Sequence, residues 1–273
     1  MATGRLPNTY TPYDSNGNPY GYFNSSRQEG KTPSPDAPRV EDVSGDDSAY
    51  CNSSSNDSKR VYDREAVAEY AKKYASGFTS GDYFLEKIIG TLGVGRNPSY
   101  PSFPSNCANF TSQALEAAGI VQNEEWHAEA ENGSWNIFGL FNGYKNWDYT
   151  HSWSVASDQY EYFSSSIFCA STTEISFYDD NNKAINDADI QKKKIEDALK
   201  NNNIQVGDLL FFVNEDQEVY HSTIITKTDD DMIYYSGNTT RYYNKALLDA
   251  FDPEATSKVI IVSIKDNIPQ ELT

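Results

Sequence analysis

The chain has 273 residues and a formal net charge of −18, from 22 Lys and Arg against 40 Asp and Glu. This balance argues against a nucleic-acid partner, because neutralising phosphates needs clustered cationic side chains. No run of 18 apolar residues is present to span a membrane, while 20 Tyr, 13 Phe and 4 Trp supply packing mass for a sizeable core.

Residues 1–58 are rich in Pro, Gly, Asn, Ser and Asp, and are expected to form an extended arm or linker ahead of a domain at 59–273. No signal peptide is visible at the start, so the chain is either cytosolic or a fragment or mature form whose leader was left out. From a cap at Asp63, YDREAVAEYAKKYA sets Ala66, Val67, Tyr70, Ala71 and Tyr74 on one helical face, and Ser76-Gly77 marks its end. A shorter helix is expected from Phe84 to Leu92.

In the stretch Asn97–Gly119, a proline-bounded loop leads into a helix on which Phe110, Ala114, Leu115 and Ala118 recur at three- and four-residue intervals. Gly119 supplies a left-handed stop, and Ser105 or Asn106 can cap the first turn. Cys107 therefore falls at a helix N-terminus, where the macrodipole and unpaired amides favour a thiolate. It is the candidate nucleophile.

Residues 123–203 read as an irregular insertion containing Trp126, Trp135, Trp147 and Trp153, with helical pattern only at Ser154–Phe163 and Ala188–Leu199. Trp126 and Trp153 are expected to bind substrate as the wall of a groove, the alternative being the core of an embellishing subdomain. Asp179, Asp180, Asn181 and Asn182 resemble calcium ligands but lack the Gly and distal Glu of an EF-hand. No metal or other cofactor is expected.

After the turn Val206-Gly207-Asp208 the period changes to that of strands, at Leu209–Val213, Tyr220–Lys227, Met232–Ser236 and Lys258–Ile264, with a short helix at Asn244–Phe251. Helices followed by an antiparallel sheet define an α+β class. Three cysteines do not make a disulfide scaffold; a Cys51–Cys169 bridge would leave Cys107 free, and three free thiols is the alternative.

Histidine is scarce: His127, His151 and His221. His221 opens a strand, with Tyr220 on the opposite face by alternation, and can serve Cys107 as base and acid if sheet and helix pack together. His127 and His151 are expected to be exposed or structural. A polar group should hold the imidazole; Asn238 is the best-placed candidate and Asp208 its rival. Donors for an oxyanion are the Cys107 amide with Tyr100, Asn106 or Gln113.

The segments YDREAVAEYAKKYA, NPSYPSF, NCANFTSQALEAAGI, SWSVASDQYEYF, VGDLLFF with HSTIITK, and YYSGNTT occur in the order seen in the bacterial putative amidase domain family. The resemblance covers about residues 62–245, and that family is similar to the NlpC-type and CHAP-type papain-like peptidases and amidases. It implies a papain-like fold with Cys107 as nucleophile, His221 as base and Asn238 as orienting group. The last position is commonly His in the family, and the residue before the cysteine is usually Asp where this chain has Asn106. NlpC-like enzymes resemble this chain in an upstream tyrosine, here Tyr100.

The expected activity is cysteine-dependent hydrolysis of an amide bond in cell-wall peptidoglycan, by a secreted or envelope-associated protein. The alternatives are a toxin-like cysteine protease or acyltransferase acting on a protein, or a binding module of the same fold with a dead site.

Overall fold

Strands such as LLFFV and KVIIVSI are apolar at nearly every position, so both of their faces need cover. The computed structural model provides it. It describes residues 59–76, 95–130, 147–179, 183–250 and 255–269, all within the unit Ser48–Thr273. The arm at 1–58, Cys51, the helix at Phe84–Leu92, Trp135 and the segment 180–182 lie outside the described residues.

In chain order the elements are β1 (Lys59–Val61), α1 (Arg64–Ala75), α2 (Cys107–Ala117), β2 (Ala128–Ala130), β3 (Trp147–Tyr149), α3 (His151–Ser154), α4 (Ala156–Ser165), β4 (Cys169–Ser176) and α5 (Ala188–Asn201). Then follow β5 (Leu209–Val213), β6 (Val219–Asp229), β7 (Met232–Asn238), β8 (Arg241–Ala246), a 3-10 turn at Leu248–Ala250, β9 (Lys258–Ile264) and β10 (Asn267–Pro269). Six strands form one antiparallel sheet in the order β4-β9-β5-β6-β7-β8, while β1 pairs with β10 and β2 with β3. The class is α+β, as expected. No described helix is long and apolar enough to cross a membrane.

The side-chain period of two divides the core. Leu209, Phe211, Ile224 and Val262 pack with Val67, Phe110, Leu115, Trp126, Trp153 and Phe163 from the α1, α2 and α4 side. Leu210, Phe212, Ile225 and Ile261 pack with Ile195 and Ala198 of α5 on the opposite face.

Two expectations are corrected. Among its described residues the stretch 123–203 contributes to the main fold: β4 is an edge strand of the main sheet and α5 covers that sheet's second face. The described part of the expected helix, residues 244–250, is not α-helical either, because Arg241–Ala246 pairs with β7 and a 3-10 turn follows at Leu248–Ala250. Pairing to a preformed strand overrides a short local helical pattern.

Local signals held where they were strongest. Asp63 caps α1 by accepting from the Ala66 amide, and Gly119 takes φ 101° after α2.

Asp208 ties α1 to the sheet. Its fully buried carboxylate accepts from Arg64 Nη1 at 2.9 Å, the Gln205 amide at 2.9 Å and the Ile264 amide at 3.0 Å. The adjacent Gly207 has φ 90°, and a Cβ there would lie 3.0 Å from the Tyr62 ring, whose hydroxyl donates to the Gly207 carbonyl. Asp208→Ala should lower unfolding stability by about 3–5 kcal/mol in urea melts, because Arg64 and two amides lose a buried acceptor together.

Candidate active site

Helix α2 is buried from Cys107 through Leu115, so even its polar side chains must find partners inside the protein. Asn106 stands at its N-cap without a side-chain capping bond; its amide oxygen accepts from Asn109 at 2.9 Å and from the Phe103 amide at 3.3 Å. Its own amide group donates to Asn238 Oδ1 at 3.3 Å, and its backbone N–H to Thr239 Oγ1 at 3.0 Å. These bonds fix the first turn of α2 against the end of β7. Cys107 is the first residue of that turn.

The Cys107 thiol is buried and free, and the His221 side chain on the facing sheet is the main group acting to lower it. Burial pushes the thiol up, but the His221 side chain, with the Ser222 and Ala108 amides, brings it down to about 7. The Ser105 hydroxyl lies 4.0 Å from the sulfur. Thus the start of α2 and His221 near the start of β6, 114 residues apart in sequence, are brought together by the packing of helix and sheet.

A β-bulge aims the imidazole. Phe212 pairs with His221 but Val213 pairs with Val219, which leaves Tyr220 as the extra residue. The expected alternation of Tyr220 and His221 is therefore broken, and their rings stack with centroids 6.4 Å apart and planes 21° apart.

The far nitrogen of His221 differs from expectation. Nε2 lies 2.7 Å from Tyr242 Oη, so a phenol and not Asn238 meets it. Asn238 bridges the Asn106 side chain and the Tyr74 carbonyl, holding the cap loop to α1. Asp208 is engaged with Arg64, as described above. Tyr242 was missed because the β7–β8 hairpin carries no turn signature: Thr239 and Thr240 connect the strands without positive φ.

Two of the expected oxyanion donors also belong elsewhere. Tyr100 donates to Glu116 at 2.7 Å, and Glu116 lies ~13 Å along the helix from Cys107. Gln113 accepts from Tyr70 at 2.6 Å. Asn106 stays beside the thiol as a brace for the loop, and the backbone amides that act on the sulfur are those of Ala108 in the first helical turn and Ser222 on β6.

Trp126 and Trp153 do not line a groove: both are 0% exposed. Trp126 Nε1 donates to Ser112 at 3.1 Å and Trp153 Nε1 to Asn109 at 2.7 Å, with their rings 4.7 Å apart. Gln159 of α4 completes this layer, donating to Ser112 and the Ala108 carbonyl and accepting from Thr111 and Ser222. His127 bonds the Asn123 carbonyl and exposed His151 lies near Asp158, both apart from the thiol.

A model of the family described as "Putative amidase domain" matches residues 61–260, and the chain belongs to that family. Membership points to amide-bond hydrolysis. A protein of Bacillus subtilis (strain 168) named "Uncharacterized protein YhbB" is 31% identical over 105 residues, covering 38% of this chain and 25% of that protein. The chain thus spans about a quarter of the length of that relative. No solved structure matches the chain.

Trp153→Phe should lower stability by about 2–4 kcal/mol, measured by chemical denaturation, since it leaves a void and takes a donor from buried Asn109. A substrate-wall tryptophan would lower affinity and spare stability.

Proposed function

We propose that this protein hydrolyses amide bonds by a cysteine mechanism on a papain-like fold of the NlpC and CHAP kind, with Cys107 as nucleophile and His221 as base and acid. The observation that carries the reading is a buried free thiol at a helix N-terminus on which an imidazole of the facing sheet acts, with the thiol brought down to about 7.

In the first step His221 takes the Cys107 proton and the sulfur attacks the scissile carbonyl carbon. The oxyanion formed is met by amides at the start of α2. Collapse breaks the C–N bond as His221 returns its proton to the leaving amine, which gives a thioester. Water, deprotonated by His221, then attacks the thioester, and the acid product leaves as the thiol is restored.

The substrate we propose is cell-wall peptidoglycan, cleaved at a stem or cross-link peptide bond or at the muramoyl-alanine amide. Support for the compartment comes from Cys169, which is disulfide-bonded and so favours an oxidising, extracytoplasmic setting. Its expected partner, Cys51, lies outside the described residues.

Alkylation of Cys107 by iodoacetamide should rise with pH through a midpoint near 7; in His221→Ala the midpoint should return to 9.0, the ordinary thiol value, or above. The sign follows because removing the imidazole leaves burial, which raises the thiol, without its main opponent. Mass spectrometry of purified peptidoglycan should find new amino groups after digestion with native protein and none with Cys107→Ala. A midpoint near 9 in the native protein would overturn the cysteine mechanism.

A further inference from the structure

We propose that Tyr242 is the positioning residue of this site, its hydroxyl taking Nε2 of His221 so that Nδ1 is left for the thiol. The inference rests on the cysteine–histidine reading above.

Three features hold the phenol there. Its oxygen is 2.7 Å from Nε2. The β7–β8 register pairs Tyr242 with Gly237, where an added Cβ would come within 2.5 Å of the hydroxyl oxygen, so a residue without a side chain keeps the space open. Tyr235 then fixes the ring edge-on at 5.3 Å, while Phe212 lies 5.7 Å from the imidazole.

The chemistry follows from what surrounds the ring. The titratable groups around the imidazole and phenol are Cys107, Tyr220 and Tyr235, with Lys245 Nζ 5.7 Å from the Tyr242 ring. Among the described residues no carboxylate pairs with His221. Burial holds the Tyr242 phenol well above its usual range, so it stays neutral. A neutral phenol can donate or accept; in the proposed arrangement it accepts Nε2–H, which selects the tautomer whose Nδ1 lone pair is left for the thiol. The same bond persists when Nδ1 takes the proton. Orientation and tautomer are thereby set without a second anion near the thiolate.

The test compares native protein, Tyr242→Phe, Gly237→Ala and His221→Ala by the pH dependence of Cys107 alkylation with iodoacetamide. In parallel, ¹⁵N NMR of the imidazoles is tractable because the chain has 3 histidines. In Tyr242→Phe the midpoint should rise by about one unit, slowing alkylation at neutral pH about fivefold, and the His221 spectrum should lose its single Nε2–H tautomer. Gly237→Ala, which keeps the phenol but displaces it, should move both readouts the same way.

A midpoint still near 7 and an unchanged tautomer in Tyr242→Phe would overturn the assignment; if that variant does not fold, the same null result in Gly237→Ala does so. Failure of the underlying reading looks different: the native midpoint would then lie near 9 and would not respond to His221→Ala.

Discussion

The structure depends on burying α2 on nearly all sides. A helix so enclosed cannot leave its polar side chains to water, so each requires an internal partner at a fixed place. Thr111, Ser112 and Asn109 find theirs in Gln159, Ser222, Trp126 and Trp153. The network locks the helix in rotation and along its axis, because sliding it by one residue would strand several buried groups together. Cys107 therefore has a defined position before any contact with His221 is considered.

The second half of the site is set by irregularities in the sheet. The bulge at Tyr220 turns His221 toward the helix start, and the register shift between Tyr235 and Gly237 brings Tyr242 over a glycine. Asn244, at φ 54°, absorbs the compensating turn in β8, its amide bonded to Ser236. Regular strands would present side chains in strict alternation. These extra residues place a histidine and a tyrosine from adjacent parts of the sheet within hydrogen-bond reach.

Much of the fold was legible in the sequence where chemistry is local. Asp63 before an apolar-periodic run, Gly119 after one, and the continuous apolar strands carry their own physical reasons. The position of Cys107 at the helix start was legible on the same grounds. What could not be read depended on partners far away in the chain. Trp126 and Trp153 look alike whether they face a groove or a core, and the difference lies in acceptors on α2, Ser112 and Asn109. Likewise β4 reads as isolated polar sequence until β9 pairs with it. The exchange of roles between Asn238 and Tyr242 is of this kind, since it turns on a hairpin whose turn residues give no signal.

That exchange also accounts for the asparagine before Cys107. Asn106 is almost fully buried and uses its side chain in both senses, accepting from Asn109 and Phe103 while donating to Asn238. A carboxylate at this position accepts but cannot donate, so it would face the Asn238 oxygen with its own lone pairs. It would also place a negative charge next to the sulfur, and raise the thiol that His221 and the helix start bring down. A neutral amide stands before the cysteine and a neutral phenol behind the histidine, and among the described residues no carboxylate pairs with His221. The Ala108 amide at the helix start, the Ser222 amide and the His221 side chain then act together to bring the thiol down against its burial.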